Sequence, residues 1–255
     1  MTKLTAIVLT HNEADHIVDC LETLDFADER VVFDSHSTDD TLQLARQAGA
    51  RVIQHPFENY AQQRNDAIEA VQANTDYILF VDADERVTPE LAEEIRLVIT
   101  QGGYAAWRIP RYNYLFGKLT KSAGWYPDYQ LRLLRAGKAH YDPQRKVHEV
   151  LVFDGDEGTL NQHLIHYNYT DVRQFRQKQR DYARLEAQIL DEQGIQPRPH
   201  NYILQPLRQF WWRYVDLGGY REGWHGLRLS VLMGWYELRK YQFLRARQQD
   251  PAPDQ

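Results

Sequence analysis

The stretch Tyr77-Ile78-Leu79-Phe80-Val81-Asp82-Ala83-Asp84-Glu85 is an apolar run that ends abruptly in three acids around one alanine. A strand that pairs its backbone and buries both faces has no room for a free carboxylate. The acids therefore fall just past its C-terminal end, where open α/β sheets bind ligands. Asp82 and Asp84, two residues apart, have the spacing to share one hard cation, and Mg²⁺ or Mn²⁺ held that way usually also binds substrate phosphates. A solvated acidic turn has the same composition, so the motif is weighed by the elements that position it.

Those elements alternate. Thr5 to Leu9 is a β-branched run, followed by Thr10-His11-Asn12-Glu13 and a helical pattern through Ile17, Cys20, Leu21 and Leu24. Arg30 to Asp34 reads as a second strand, closed by Ser35-His36-Ser37-Thr38-Asp39-Asp40, whose hydroxyls and acids suit the N-cap of a helix from Thr41 to Gln47. Arg51 to Gln54 is a short third strand before a helix from about Asn59 to Val71, and the acid-tipped strand is the fourth. Thr88-Pro89-Glu90 opens another helix with a cap, a proline at the first helical position and an early acid. Four alternations predict a parallel, doubly wound sheet. In such a sheet the loops after strands one, two and four converge into one pocket. No GxGxxG or GxxxxGK[ST] occurs anywhere, which disfavours dehydrogenase and P-loop chemistry.

Taken together, the motifs TxNE (Thr10 to Glu13), DSxSTDxT (Asp34 to Thr41), QxRN (Gln62 to Asn65) and DADE (Asp82 to Glu85) resemble the family 2 glycosyltransferases of GT-A fold. Trp125-Tyr126-Pro127, Arg132 to Arg135, Val147-His148-Glu149 and His166-Tyr167-Asn168-Tyr169 resemble the branch that includes the lipopolysaccharide inner-core β-1,4-glucosyltransferases. The resemblance runs from about residue 4 to about residue 245.

It implies an α/β GT-A fold, Rossmann-like with a mostly parallel sheet, and inverting transfer of a hexose, glucose in that branch, from a UDP-sugar to a lipid-linked saccharide. Asp34 would accept a hydrogen bond from the uracil N–H, Arg64 would approach the base or the diphosphate, and Thr10, Asn12 and Glu13 would line the nucleoside slot. Asp82, Ala83 and Asp84 would meet the ribose and the Mg²⁺ or Mn²⁺ ion, which neutralises the leaving diphosphate. Arg64 also reads as a helix-surface cation beside Glu58 or Asp66, and Glu85 as either a supporting residue or a first-turn acid.

Inversion requires a carboxylate to take the proton from the attacking hydroxyl. Glu149, in the motif this branch shares, is the first candidate for that base and Asp128 the second; the ED pair that commonly supplies it in the family is absent. Ten histidines form no HExxH, and zinc is disfavoured. His166 has two readings, a third ligand to the nucleotide's metal or a buried hydrogen-bonded histidine. Trp125, beside a Pro-Asp turn, is a candidate to stack on the acceptor sugar.

Composition bounds the rest. With 43% hydrophobic residues in 255, the chain can bury one substantial core plus an appendage. A single cysteine fits a reducing cytoplasm, no signal peptide is visible, and no apolar run approaches the length needed to span a bilayer. Residues 1–171 carry 16 Lys and Arg against 27 Asp and Glu, whereas 172–249 carry 14 against 7, a net of +7. In that second region, Tyr202 to Leu217 and Tyr220 to Leu244 interleave Trp and Tyr with Arg208, Arg213, Arg221 and Arg228 on helical patterns. Such segments suit an anionic membrane surface, or else a helical subdomain with solvated arginines. Nucleic acid is disfavoured by the acidic pI of about 5.9.

The expected map is a catalytic domain over 1–170, split into a nucleotide-sugar half (1–100) and an acceptor half (101–170), then a helical basic-aromatic region over 171–249 and a tail over 250–255. The enzyme would be cytoplasmic and peripheral on the inner face of the inner membrane. The alternatives are a non-catalytic nucleotide-sugar-binding protein of GT-A type and a sugar nucleotidyltransferase.

Overall fold

Hydrophobic alternation places the first strand, β1 (Leu4–Thr10), between two apolar layers: Leu4, Ala6 and Val8 enter one cluster and Ile7 the other. The computed structural model describes residues 2–142 and 151–249. Around β1 lie β2 (Glu29–Asp34), β3 (Arg51–Gln54) and β4 (Tyr77–Asp82), all parallel, in the order β3-β2-β1-β4. The direction of strand addition reverses between β1 and β4, and at such a switch point the loops after the two strands diverge and leave a crevice.

Helices α1 (Ile17–Glu22), α2 (Thr41–Gln47) and α3 (Tyr60–Gln72) connect these strands, and α4 (Pro89–Gln101) follows them. Asn59 caps α3 by accepting the Gln62 N–H, and Thr88 caps α4 by accepting that of Leu91. At α2 the acceptor is Asp39, which takes the Thr41 N–H at 3.0 Å, while Asp40 makes no cap bond.

Beyond β4 the sheet turns mixed. β8 (Tyr129–Arg135) runs antiparallel to β4, and β6 (Ala106–Leu115) antiparallel to β8. No helix separates β6 from β8; the chain returns through β7 (Lys118–Thr120), and antiparallel neighbours need no long crossover. β9 (Ala139–Tyr141) pairs with β10 (Leu151–Phe153), β11 (Glu157–Thr159) lies parallel to β6, and β5 (Glu85–Val87) runs antiparallel to β12 (Leu164–Tyr169).

The chain forms two compact units. The first holds residues up to Tyr112 together with Asp128–His166, and the second holds Asn113–Pro127 and the chain from Tyr167 onward. The second unit contains α5 (Val172–Glu192), α6 (Leu204–Trp211), a wider helical turn over Trp212–Asp216, and α7 (Trp224–Gln249). Its core gathers Leu115, Tyr169, Phe175 and Leu229. Arg213, expected on a basic outer face, turns inward instead. It donates to the Ala123 carbonyl at 2.7 Å and lies over the Trp125 ring at 5.9 Å, and burial lowers its pKa.

Gly226 and Gly219 set the approach of α7 to the turn before it. A Cβ on Gly226 would stand 1.9 Å from the Gly219 carbonyl oxygen. Alanine is the better helix former by roughly 1 kcal/mol, but overpacking costs about 1–3 kcal/mol, and a backbone oxygen cannot rotate away. Gly226→Ala is therefore expected to lower the melting temperature by several degrees. An unchanged or higher value in a thermal melt would show that the turn relaxes.

Candidate active site

Loops after β1 and β2 are laced to each other. Asp34, at the end of β2, is fully buried and accepts the Thr10 hydroxyl at 2.8 Å, the Ser37 N–H at 2.8 Å and the Ser37 hydroxyl. Asn12, at a φ of +58° that Asn tolerates better than most residues, accepts the Thr38 N–H at 2.8 Å, and its own N–H donates to the Ser37 hydroxyl at 2.8 Å. The Glu13 N–H donates to the Thr41 hydroxyl at 2.8 Å, and the Glu13 carbonyl starts α1 by accepting the Ile17 N–H. Thr10, Asn12, Glu13 and Asp34 are thus brought together. Asp34 is buried beneath the loop over Ser35–Ser37.

In the QxRN segment of α3, Gln62 donates to Asp66 on the same helix at 2.8 Å, and the next three side chains each reach a different element. Gln63 donates to the Ser35 hydroxyl at 2.6 Å, and Asn65 exchanges two hydrogen bonds with the Tyr141 backbone, at 2.8 and 2.7 Å. Arg64 is not the surface cation that Glu58 or Asp66 would hold. Its guanidinium lies over Phe80 at 5.1 Å and Tyr141 at 5.5 Å, with one nitrogen 3.8 Å from Asp82. Arg64 Nε and Nη1 and Arg132 Nε are buried without a hydrogen-bond partner. Both arginines line a cleft of ≈ 340 Å³ with Tyr129, Tyr141 and Leu151. Unmatched buried N–H groups are costly, and a cleft that holds them favours an anion.

At the end of β4 the acids divide. Asp82 is clasped by both terminal nitrogens of Arg132, one at 3.1 Å. Burial alone would raise its pKa, but Arg132, then Arg64 and Arg111, outweigh burial and hold the carboxyl well below the usual range. Glu85 is fully buried: of its two readings it is the supporting residue and not a solvated first-turn acid. It accepts the Asp82 N–H, Arg111 and Arg132, each at 2.9 Å. Arg111 continues to Asp128, at 2.9 Å from Nε and 2.8 Å from Nη2, and the other Asp128 oxygen accepts Gln130 at 2.8 Å. Arg111 and Arg132 are the residues that sequence reasoning missed as site builders. The signal for Arg132 was a lone charge inside the apolar alternation of β8; Arg111 had none.

Ala83 is buried and Asp84 partly exposed. Pairing of β5 with β12 sets His166 opposite Glu85, and this brings His166 Nε2 to 3.4 Å from Asp84 Oδ2. Donors of a six-coordinate ion with bonds near 2.1 Å sit about 3 Å apart, so the spacing of Asp84 and His166 would let the pair hold one divalent cation. Among the described residues no three His, Cys, Asp or Glu side chains form a ready-made site. Asp82, expected beside Asp84 as a ligand, is paired with the Arg132 guanidinium and remains one-third exposed. Trp125 belongs to the second unit, where its carbonyl accepts Asn113 at 2.9 Å and its ring meets the edge of Tyr169. Glu149 lies outside the described residues.

Residues 5–150 match the sequence model described as glycosyl transferase family 2. The lipopolysaccharide core biosynthesis glycosyltransferase LpsC of Rhizobium meliloti (strain 1021) is 32% identical over 235 residues, covering 88% of this chain and 84% of that protein. An uncharacterized glycosyltransferase of Rickettsia felis is 31% identical, covering 83% and 77%. Among solved structures, S. aureus TarS 1–349 in complex with UDP aligns over 98% of this chain and 91% of its own, at 16% identity and a TM-score of 0.48. A likeness that remote carries no further argument.

Arg132→Met is expected to cost about 3 kcal/mol at neutral pH, below the upper range for a broken buried pair because a third of the Asp82 side chain reaches solvent. The folded-state pKa of Asp82 is depressed, so its contribution is present above the unfolded value near 4 and is lost as pH falls through the folded one. Without Arg132 only Arg64 and Arg111 oppose burial, so Asp82 protonates at higher pH than in the wild type, and the stability gap between the two proteins narrows as pH drops from 7 toward 4. Urea unfolding across that range tests it; a gap independent of pH would detach Asp82 from Arg132.

Proposed function

From the premise that this chain belongs to glycosyl transferase family 2, we propose that it is an inverting, metal-dependent hexosyltransferase that moves glucose from a UDP-sugar onto a lipid-linked saccharide of the lipopolysaccharide inner-core class. One observation carries the reading: a carboxylate and an imidazole, Asp84 and His166, meet 3.4 Å apart just past the C-terminal end of β4, beside the switch point of the sheet. The acceptor class is supported by what LpsC is named for.

In this reading Asp84 and His166 hold Mg²⁺ or Mn²⁺, which when bound neutralises charge on the departing diphosphate. Thr10, Asn12 and Glu13 line the nucleoside side of the crevice, and Asp34 keeps their loop closed. Asp82 and Ala83 face the ribose. The unmatched N–H groups of Arg64 and Arg132 offer charge-assisted donors to the anionic donor substrate. Glu149 takes the proton from the acceptor hydroxyl, because Asp128 spends both carboxylate oxygens on Arg111 and Gln130. Trp125 contributes to the acceptor side. The protein works at the cytoplasmic face of the inner membrane; among the described residues no helix is long and apolar enough to cross it. A donor panel assayed against defined inner-core acceptors decides the sugar and the linkage.

Asp84→Asn and His166→Ala are each expected to abolish the Mn²⁺-dependent part of UDP binding and most transfer, while leaving metal-free UDP binding near the wild-type level. Calorimetry with and without Mn²⁺ reads this directly. Equal metal dependence in wild type and Asp84→Asn would remove Asp84 from the metal site.

Glu149→Gln is expected to keep donor affinity and lose transfer by roughly 10²- to 10⁴-fold. Asp128→Asn should lose less turnover and more thermal stability, since it leaves Glu85 as the one remaining charge partner of Arg111 described here. Steady-state kinetics on both variants separate the roles: a dead Asp128→Asn beside a nearly normal Glu149→Gln would move the base to Asp128.

A further inference from the structure

Within the second unit α7 packs against both α6 and α5. Gly234 is where α6 touches it: a Cβ there would stand 3.0 Å from the Pro206 carbonyl and 3.5 Å from Phe210 Cβ. The Tyr202 hydroxyl reaches the Tyr241 carbonyl at 3.4 Å, so α6 and α7 run antiparallel. On α5 the partners advance together, Phe175 with Tyr236, Glu186 with Lys240 and Asp191 with Arg247, so α5 and α7 run parallel. At about 100° per residue, the α7 residues that meet α5 lie about 200° round from Gly234. α7 is therefore the middle helix.

The side of α7 between these contacts is presented by Trp224, Arg228, Val231 and Trp235, all exposed, with Trp224 at 78%. Ile203, Leu207 and Trp211 occupy the matching side of α6 and are 59–64% exposed. Rotating in one sense from the contact line leads to the same side of an antiparallel pair, so the two rows form one face. The same rotation on α5 leads to Arg173, Arg176, Arg180 and Arg184, at spacings of three, four and four, beside a recess of ≈ 680 Å³. Arg184 and Arg239 stack on the ring of Phe243 between α5 and α7, at 5.3 and 4.8 Å, and join the stripe to the apolar face. None of the three rows contains an acid; Asp181, 3.9 Å from Arg184, stands at the rim of the recess.

We propose that this three-helix face is a membrane-docking surface, in which the tryptophans and aliphatic side chains of α6 and α7 enter the interface and the arginine stripe of α5 binds anionic phospholipid headgroups. The inference deepens the lipid-linked acceptor reading and rests on it. Large apolar side chains exposed side by side on one face mark an interaction site. The row of cations beside it fits a surface carrying many phosphates, and large aromatic side chains favour the headgroup level of a bilayer.

Co-sedimentation with phosphatidylcholine vesicles, with and without phosphatidylglycerol, at about 0.05 and about 0.5 M salt tests it. Wild type should bind only the anionic vesicles strongly, lose part of that binding at high salt, and show a blue-shifted tryptophan emission. Arg173→Glu/Arg176→Glu/Arg180→Glu should weaken binding at low salt at least about tenfold. Trp211→Ser/Trp224→Ser/Trp235→Ser should remove the salt-resistant part and the blue shift. Every substituted side chain is exposed, and circular dichroism checks that both variants keep their helices. Wild type that fails to sediment, or both variants sedimenting as well as wild type, overturns the proposal. A concentration-dependent dimer abolished by the tryptophan substitutions also overturns it and assigns the face to a second copy. Vesicle binding needs no donor or acceptor, so its failure leaves the transferase reading standing, and loss of transfer with vesicle binding intact leaves this one standing.

Discussion

Charge burial at the end of β4 is the constraint on which the site depends. Arg132 joins Asp82 to Glu85, Arg111 joins Glu85 to Asp128, and Arg64 approaches Asp82 from α3. Three acids and three guanidinium groups balance, as charges withdrawn from water must. Such a lattice contributes little net stability compared with apolar packing of the same volume, but it fixes geometry. It ties β4, β6 and β8 together at one edge. Through the Glu85 carboxylate on the Asp82 N–H it also closes the turn that carries Ala83 and Asp84. Asp84 therefore reaches His166 because Glu85 does not move.

The opposite wall of the crevice is stiffened by different chemistry. Neutral hydroxyls and backbone amides from Ser37, Thr38 and Thr41 meet Asp34, Asn12 and Glu13, so that two loops share one hydrogen-bond network. Gln63 extends it to α3 through Ser35. Holding both walls before a substrate arrives lowers the ordering cost of binding and keeps reactive groups within a narrow range of positions.

Much of this was legible from residue types. The four parallel strands, their helices and the convergence of the first two loops followed from apolar and β-branched runs and turn chemistry, because each is a local signal. The meeting of Asp84 with His166, 82 positions apart, was reachable only through the family resemblance, since the β5–β12 pairing that creates it is three residues long and leaves no periodic trace. Mixed strand direction beyond β4 was not legible either; an antiparallel return and a helical crossover present the same apolar run. For Asp34 the motif gave the position at a strand end, and the structure adds the support: its carboxylate accepts the Thr10 hydroxyl and the Ser37 N–H.

In the second unit the count of cations does not say which of them face outward. A net of +7 over residues 172–249 and the interleaving of arginine with tryptophan pointed to the segments from Tyr202 to Leu244 as the basic surface. Arg213, the arginine next to Trp212, is instead an internal strut, stacked on two tryptophan rings with its charge disfavoured by burial. A planar guanidinium can be buried that way because it is weakly hydrated and its flat faces pack on aromatic rings. The arginines that share one outward side are those of α5, a helix whose sequence has few aromatic residues and which the interleaving rule passes over. Composition records how many cations a region has. Which of them an external surface can feel is set by the helical phase, and phase is fixed by the residues that each helix buries.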